Sequence, residues 1–425
     1  MSLLYASDLI TQYLPWYYLV QLYLHRFQLP HWVSNLYSTG YPLLAQGETG
    51  ILSPINSLIL LLLPLSYAVP LLYFTYVLIA ISGTYFFLRQ HHLSKISCLL
   101  GGLVFAFSGF MVGRYFQPSI IFSAALLPWG MTLSRSYLLP LIIYLQITAG
   151  HLQIALISIL AYLIYAFKPR TILLVVSGLG LSAIQLLPSL YLYSLSDRSS
   201  WDPMIRFTYS LPPSHLITYL FPDWFGISAP GDNLGFTQFG GSFWEFNLTV
   251  WTLPFLLSFI PLLVKRSRHT LFLYTLWAIF LILSFGGYTP LYRILARSPQ
   301  FPFRAPSRFL LIPTFAASSL AAFGFQHLTR YRPTWRRIIA LFIIITSVLF
   351  QITTQLKGYF MFSTNYVYTP PTTTPLPLNP NLSILPRTFV VKFHQGLIIS
   401  LLSLLILIYV KARHSSRLFN FSRRH

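Results

Sequence analysis

Residues 136–167 read SYLLPLIIYLQITAGHLQIALISILAYLIYAF, two apolar halves parted by Ala149-Gly150-His151 and closed at their outer ends by Arg135 and Lys168. No Asp, Glu, Lys or Arg lies inside this run. Each half is close to the lower limit for a helix that crosses a bilayer, whose hydrocarbon core of roughly 30 Å takes about 20 residues. A glycine turn with basic residues at both outer ends describes a helical hairpin that returns to the side it left, the side that retains Lys and Arg.

The same alternation of apolar run and basic cluster continues along the chain. Spans are expected at about 67–88, 97–113, 118–134, 136–150, 152–167, 171–190, 248–264, 270–286, 306–324, 338–354 and 395–410. The expected fold is an all-α polytopic membrane protein with about eleven transmembrane helices. Composition agrees: hydrophobic residues are 55% and charged residues 8% of the chain, and the mean hydropathy is +0.64, whereas a soluble domain has roughly 25% charged residues. The net charge of +21 would suggest nucleic acid in a soluble protein. Here the basic residues form short clusters between apolar runs, so no nucleic-acid partner is expected and membrane lipids are. Cys98 is the only cysteine, which excludes a disulfide framework and a thiolate metal site.

Span parity puts the basic clusters Arg89/Lys95, Arg135, Lys168/Arg170, 265–268, 330–337 and 411 onward on one side, assigned to the cytoplasm of a multi-pass cell-membrane protein with its C-terminus inside. The chain then divides as one integral membrane domain over 1–425. Residues 1–54 form a first outer loop with an interfacial helix over 8–25, bent at Pro15. Residues 55–354 form a multi-span core that carries an outer loop at 191–247, and 55–63 is too short to cross and reads as a half-helix. Residues 355–394 are an outer Pro-rich loop, and 395–425 are the last span and a basic tail. All seven carboxylates, Asp8, Glu48, Asp197, Asp202, Asp223, Asp232 and Glu245, fall in the first two outer loops. An ionised carboxylate is excluded from hydrocarbon, so the two acidic loops are expected to build one polar site.

Seven stretches, in order, resemble the YfhO-like membrane proteins, a group similar to the GT-C class of integral membrane glycosyltransferases. They are SDLITQYLPWYY (7–18), LPHWVSNLYSTGYPLLAQGETGILSPINSL (29–58), GGLVFAFSGF (101–110), AGHLQ (149–153), IQLLPSLYLYSLSDRS (184–199), GYTPLYRIL (287–295) and FRAPSRFLLIP (303–313). The resemblance runs from Ser7 to about Gly324. It implies a GT-C-like fold and a transferase that takes a sugar from a polyprenyl-phosphate donor, with an acidic residue of the first outer loop as catalytic base. That position falls on Asp8. The family pattern also places a spanning helix ahead of this loop, so either the start lies upstream of Met1 or the chain is shortened.

Each candidate has a plainer reading beside the functional one. Asp8 is a candidate base, because the phosphate leaves as a stable anion and the acceptor's proton is what needs a partner; it could equally cap the helix that follows. Gln12 is a candidate substrate contact on the same turn. Glu48 could orient Asp8 or the acceptor, or be a solvated loop residue. Arginine dominates the outer basic residues and suits bidentate phosphate recognition. Arg304 and Arg308, at the start of a span, are the candidates to hold the lipid phosphate, against the alternative of snorkelling to headgroups. His151 could reach a substrate or merely occupy its turn. Asp223, beside Trp224 and Phe225, could meet a sugar whose face stacks on the rings, or belong to an interfacial aromatic belt. No DxD, HExxH, GxxxxGK or paired-Cys pattern occurs; a divalent cation is compatible with the carboxylates, but nothing indicates one. The alternative functions are a lipid-linked sugar flippase or transporter and a non-catalytic lipid-binding protein. The absence of Asp and Glu from every expected span counts against an ion-coupled transporter.

Overall fold

The computed structural model describes residues 8–34, 36, 40–196, 203–222, 224–225, 243–264, 267–298, 301–330, 334–360 and 384–422. Among them every extended element is helical, and the one β-type pairing is an isolated antiparallel bridge between Val33 and Tyr41. Five helices are long and apolar enough to cross a membrane: Leu65–Gln90, Lys95–Gly113, Pro306–Thr329, Thr334–Ile352 and Val390–Ile408. Pro169–Leu181 and Ala183–Leu195 together would make a sixth, bent by 70°. The chain thus has the helices of a membrane protein.

The remaining five expected spans are shorter helices, Pro118–Thr132, Leu139–Thr148, Leu152–Tyr165, Thr252–Leu263 and Arg268–Ser284. The reason is local. In the hairpin of residues 136–167, the Ala149-Gly150-His151 turn takes residues from both halves, and Leu139–Thr148 keeps 10 residues. At a rise of 1.5 Å that is about 15 Å, half of the hydrocarbon core. Five of the eleven expected spans are thus shorter helices, set in apolar runs that proline and glycine interrupt.

Two other boundaries move. The loop drawn over 355–394 is narrower, because the helix Thr334–Phe360 enters it from one side and Ile384–Ser422 from the other; residues 361–383 lie outside the described residues. The described chain divides into two compact units.

The first unit comprises Met1–Tyr13, Tyr73–Thr132 and Trp201–Thr369. Its axis is Pro306–Thr329, in which every residue from Pro306 to Phe325 is buried. The reason is the run AASSLAAFG (316–324), whose small side chains let neighbouring backbones approach. Gly101 faces Ala322, and Gly324 lies against the Leu257 carbonyl. Near its end, Gln326 Oε1 accepts from Ser97 Oγ at 2.8 Å and from the Ser94 amide at 3.2 Å, which fixes the start of Lys95–Gly113.

The second unit comprises Leu14–Leu72, Leu133–Ser200 and Pro370–His425. Here Leu14–His25, the longer part of the helix expected over 8–25, is packed: Trp16, Tyr17, Val20 and Gln21 are buried. Pro64 has no N–H with which to continue Pro54–Leu62, so the last carbonyls of that helix need another donor. Gln21 Nε2 supplies it, at 2.8 Å to Leu60 O and 2.7 Å to Leu63 O. Gln185 and Ser189 hold the first loop in the same way, donating to Leu44 O at 3.0 Å and Ala45 O at 2.7 Å.

A Cβ at Gly324 would collide with the carbonyl of Leu257. We expect Gly324→Ala to destabilise the detergent-solubilised protein by about 1–3 kcal/mol, the usual cost of overpacking, seen as a lower Tm. An unchanged Tm would show that these helices do not depend on the close approach.

Candidate functional site

A glutamate in FWEFN (243–247) has aromatic neighbours on both sides, and a short helix, Phe243–Phe246, turns it inward. Glu245 is 1% exposed. It meets two arginines from distant parts of the chain. Arg114, at the end of Gly109–Gly113, is fully buried, and Arg308, in the 3₁₀ turn Pro306–Leu310, is nearly so. Glu245 Oε2 accepts from Arg114 Nη2 at 3.0 Å and from Ser307 Oγ at 2.8 Å. Oε1 accepts from Arg308 Nη2 at 3.3 Å and Nε at 3.4 Å. Arg114 Nη2 also donates to the Glu245 carbonyl at 3.2 Å, and its guanidinium lies 4.0 Å above the Phe110 ring.

The backbone around this cluster is shaped for it. Gly109 and Gly113 let Asn247 come against the helix end, where any Cβ at Gly109 would overlap the Asn247 side chain. The Gly109 amide donates to Thr249 O at 2.9 Å, and the Trp251 indole to Phe107 O at 2.7 Å. Ala305 and Trp251 adopt left-handed backbone, with φ of 51° and 66°, a conformation that costs an L-residue of order 1–3 kcal/mol and persists only where surroundings impose it. Ala305 stands just before Ser307, whose amide is anchored to Tyr209 O at 3.1 Å.

Burial raises the pKa of the Glu245 carboxyl, but Arg308, Arg114 and the Ser307 hydroxyl together overcome it and hold the group at about 2. Glu245 is thus ionised, and among the described residues two guanidinium groups meet one carboxylate.

The turn after Arg114 leads to Asp8. Gln117 N donates to Arg114 O at 2.7 Å, and Gln117 Nε2 donates to Asp8 Oδ2 at 2.9 Å. Beside it, the Tyr13 hydroxyl bonds Ser119 Oγ at 2.7 Å. Between Asp8 and these contacts lies a π-helical turn, Leu9–Tyr13, which carries half-buried Gln12. A bond to the Asp8 carboxylate thus comes from Gln117, 109 residues away.

Of the residues singled out in the sequence, Asp8, Gln12, Arg304 and Arg308 belong to the first unit and Glu48 and His151 to the second. Arg304 is half-buried just ahead of Ala305. Glu48 is half-buried in the turn from Gly47 to Gly50. His151 is the N-cap of Leu152–Tyr165, its Nδ1 accepting from the Ile154 amide at 3.3 Å, which is the structural role of a turn residue. Asp223 lies outside the described residues. Phe225, offered as a sugar platform, instead stacks on His215 at 4.1 Å, with Phe246 edge-on to the same imidazole at 5.1 Å. His215 is fully buried, and that burial lowers its pKa to about 4.

Two residues of the cluster, Glu245 and Arg114, were not singled out as site residues. The signal is the lone carboxylate between Trp244 and Phe246: where burial of such rings carries a carboxylate out of water, it must be paired. Among the described residues no group of three or more His, Cys, Asp or Glu side chains is placed to hold a metal ion.

The pKa of Glu245 gives a stability test. Its folded value, about 2, lies below the ordinary 4.5, so its contribution is complete above about pH 4.5 and is lost as the pH falls toward 2. Glu245→Gln leaves two buried cations uncompensated, and we expect it to cost about 3–5 kcal/mol at pH 7. The difference in Tm between wild type and variant should narrow as the pH drops from 5 toward 2. A difference that stays constant would mean that Glu245 is not the anion holding the cluster together. No family model, curated protein or solved structure matches the chain.

Proposed function

We propose that the chain is a membrane glycosyltransferase of the GT-C type, akin to the YfhO-like proteins, that moves a sugar from a polyprenyl-phosphate donor to an acceptor at the outer face of the cell membrane. One observation carries this reading. A carboxylate, Asp8, is a single hydrogen bond and one short turn away from a buried cluster of two arginines and one glutamate.

In this reaction the acceptor hydroxyl gives its proton to Asp8 as its oxygen attacks the anomeric carbon. The bond from that carbon to the phosphate oxygen breaks, and the lipid phosphate leaves with the electron pair. Such a leaving group needs positive charge more than it needs a proton. Arg308 and Arg304 supply the charge, with Arg114 behind them and Glu245 fixing both Arg114 and Arg308. Gln12, on the same turn as Asp8, is placed to contact the acceptor. No step calls for a metal.

The topology belongs to the same proposal. The five shorter apolar helices cross together with the five long ones and the bent pair, their broken ends covered by protein rather than lipid. The first loop is outside and the C-terminus inside, as the distribution of Lys and Arg requires. A cysteine at Tyr331 in a Cys98→Ser background should resist an impermeant thiol reagent in intact cells and react after permeabilisation. Labelling from outside would reverse the orientation.

The chemistry is tested by assaying purified protein with polyprenyl-phosphate sugars. Asp8→Asn should keep donor binding while transfer falls by roughly 10²–10⁴-fold, the usual effect of losing a general base. Arg304→Ala and Arg308→Ala should weaken donor binding, since charge-assisted hydrogen bonds to phosphate are lost. Unchanged turnover in Asp8→Asn refutes the base, and a wild type that binds the lipid without transferring sugar supports the flippase or binding-protein alternatives.

A further inference from the structure

We propose that Gln117 is a positioning residue for Asp8, and that with Ser119 it forms a two-point mount that ties the carboxylate's turn, through the Arg114 carbonyl, to the frame of the arginine cluster. The proposal rests on the glycosyltransferase reading for the use of Asp8, but the mount itself is a statement about contacts.

Four observations converge on it. The two contacts bracket one turn: Gln117 Nε2 reaches Asp8 Oδ2 at 2.9 Å, and Ser119 Oγ meets the Tyr13 hydroxyl at 2.7 Å. Both partners lie at the start of one helix, Pro118–Ala125, so the spacing of the mount is fixed by a rigid element. That helix start is itself tied to the cluster, because Gln117 N bonds the carbonyl of Arg114, whose side chain is locked to Glu245. The turn being held, Leu9–Tyr13, is π-helical, a geometry rare in ordinary helices and frequent where a side chain must be aimed.

The orientation of the Gln117 amide adds a fifth. Its Oε1 is buried with no hydrogen-bond partner among the described residues. A glutamine serving packing alone would satisfy its acceptor; this one commits its donor to an acceptor-only carboxylate and leaves the other end unmet.

Two cycles on the full-length protein test the idea. The first reads kinetics for wild type, Asp8→Asn, Gln117→Ala and the double variant. We expect Gln117→Ala to lower kcat about 10-fold, since misplacing a catalytic group has effects of that order, with the donor KM changed less than about twofold. In the Asp8→Asn background the same substitution should cause no further loss. An unchanged kcat, or a loss that multiplies that of Asp8→Asn, overturns the proposal. The second cycle needs no activity and measures Tm for Asp8→Ala, Gln117→Ala and their combination. The double variant should lose less than the sum of the single losses, because each single change breaks the same bond. Additive losses overturn the mount. If the wild type transfers no sugar while the Tm cycle is non-additive, the glycosyltransferase reading fails and the mount stands.

Discussion

A carboxylate between two guanidinium groups, away from water, is the constraint on which the first unit depends. Taking three charges out of water is expensive, and mutual attraction offsets that only when the geometry is good and the remaining oxygens are satisfied. Glu245 meets both conditions: one oxygen accepts from Arg114 and Ser307, the other from Arg308. Those partners come from the end of Gly109–Gly113 and the start of the Pro306–Thr329 segment. The cluster thus fixes helix ends that are far apart in sequence, and removing its anion would leave two like charges facing each other.

Placing helix ends so close together has structural requirements of its own. A helix that ends inside protein exposes carbonyls that must find donors, and the segments beside the cluster supply them locally. The Trp251 indole takes Phe107 O, and the Gly109 amide closes onto Thr249 O. Glycines at 109 and 113 admit the Asn247 side chain, and the left-handed residues Trp251 and Ala305 re-aim the chain on either side of the site. The buried axis, with its run of Ala, Ser and Gly, then holds Pro306–Leu310 in place from below.

Much of this was legible in the sequence, and the exceptions have physical causes. Hydropathy revealed where helices lie, because burial and bilayer crossing select the same residues. It could not say how long they are, since a glycine turn such as Ala149-Gly150-His151 removes residues from both neighbouring helices without changing the apolar composition. The confinement of carboxylates to two loops led to Asp8, and the structure places Asp8 and Glu245 in one unit. The pairing within the cluster was not legible: its partners are separated by 131 and 63 residues, and no local period connects them. His151 shows the opposite case, a turn residue whose cap partner, the Ile154 amide, lies three residues on.

The division of partners between the two carboxylates of the first unit is itself informative. Both arginines go to Glu245, and Asp8 receives a neutral amide. A cation in direct contact stabilises the ionised form of a carboxylate and makes it a weaker proton acceptor. Asp8 meets a donor that carries no formal charge. The Asp8 carboxylate and the arginine pair are separated by the turn from Arg114 to Gln117.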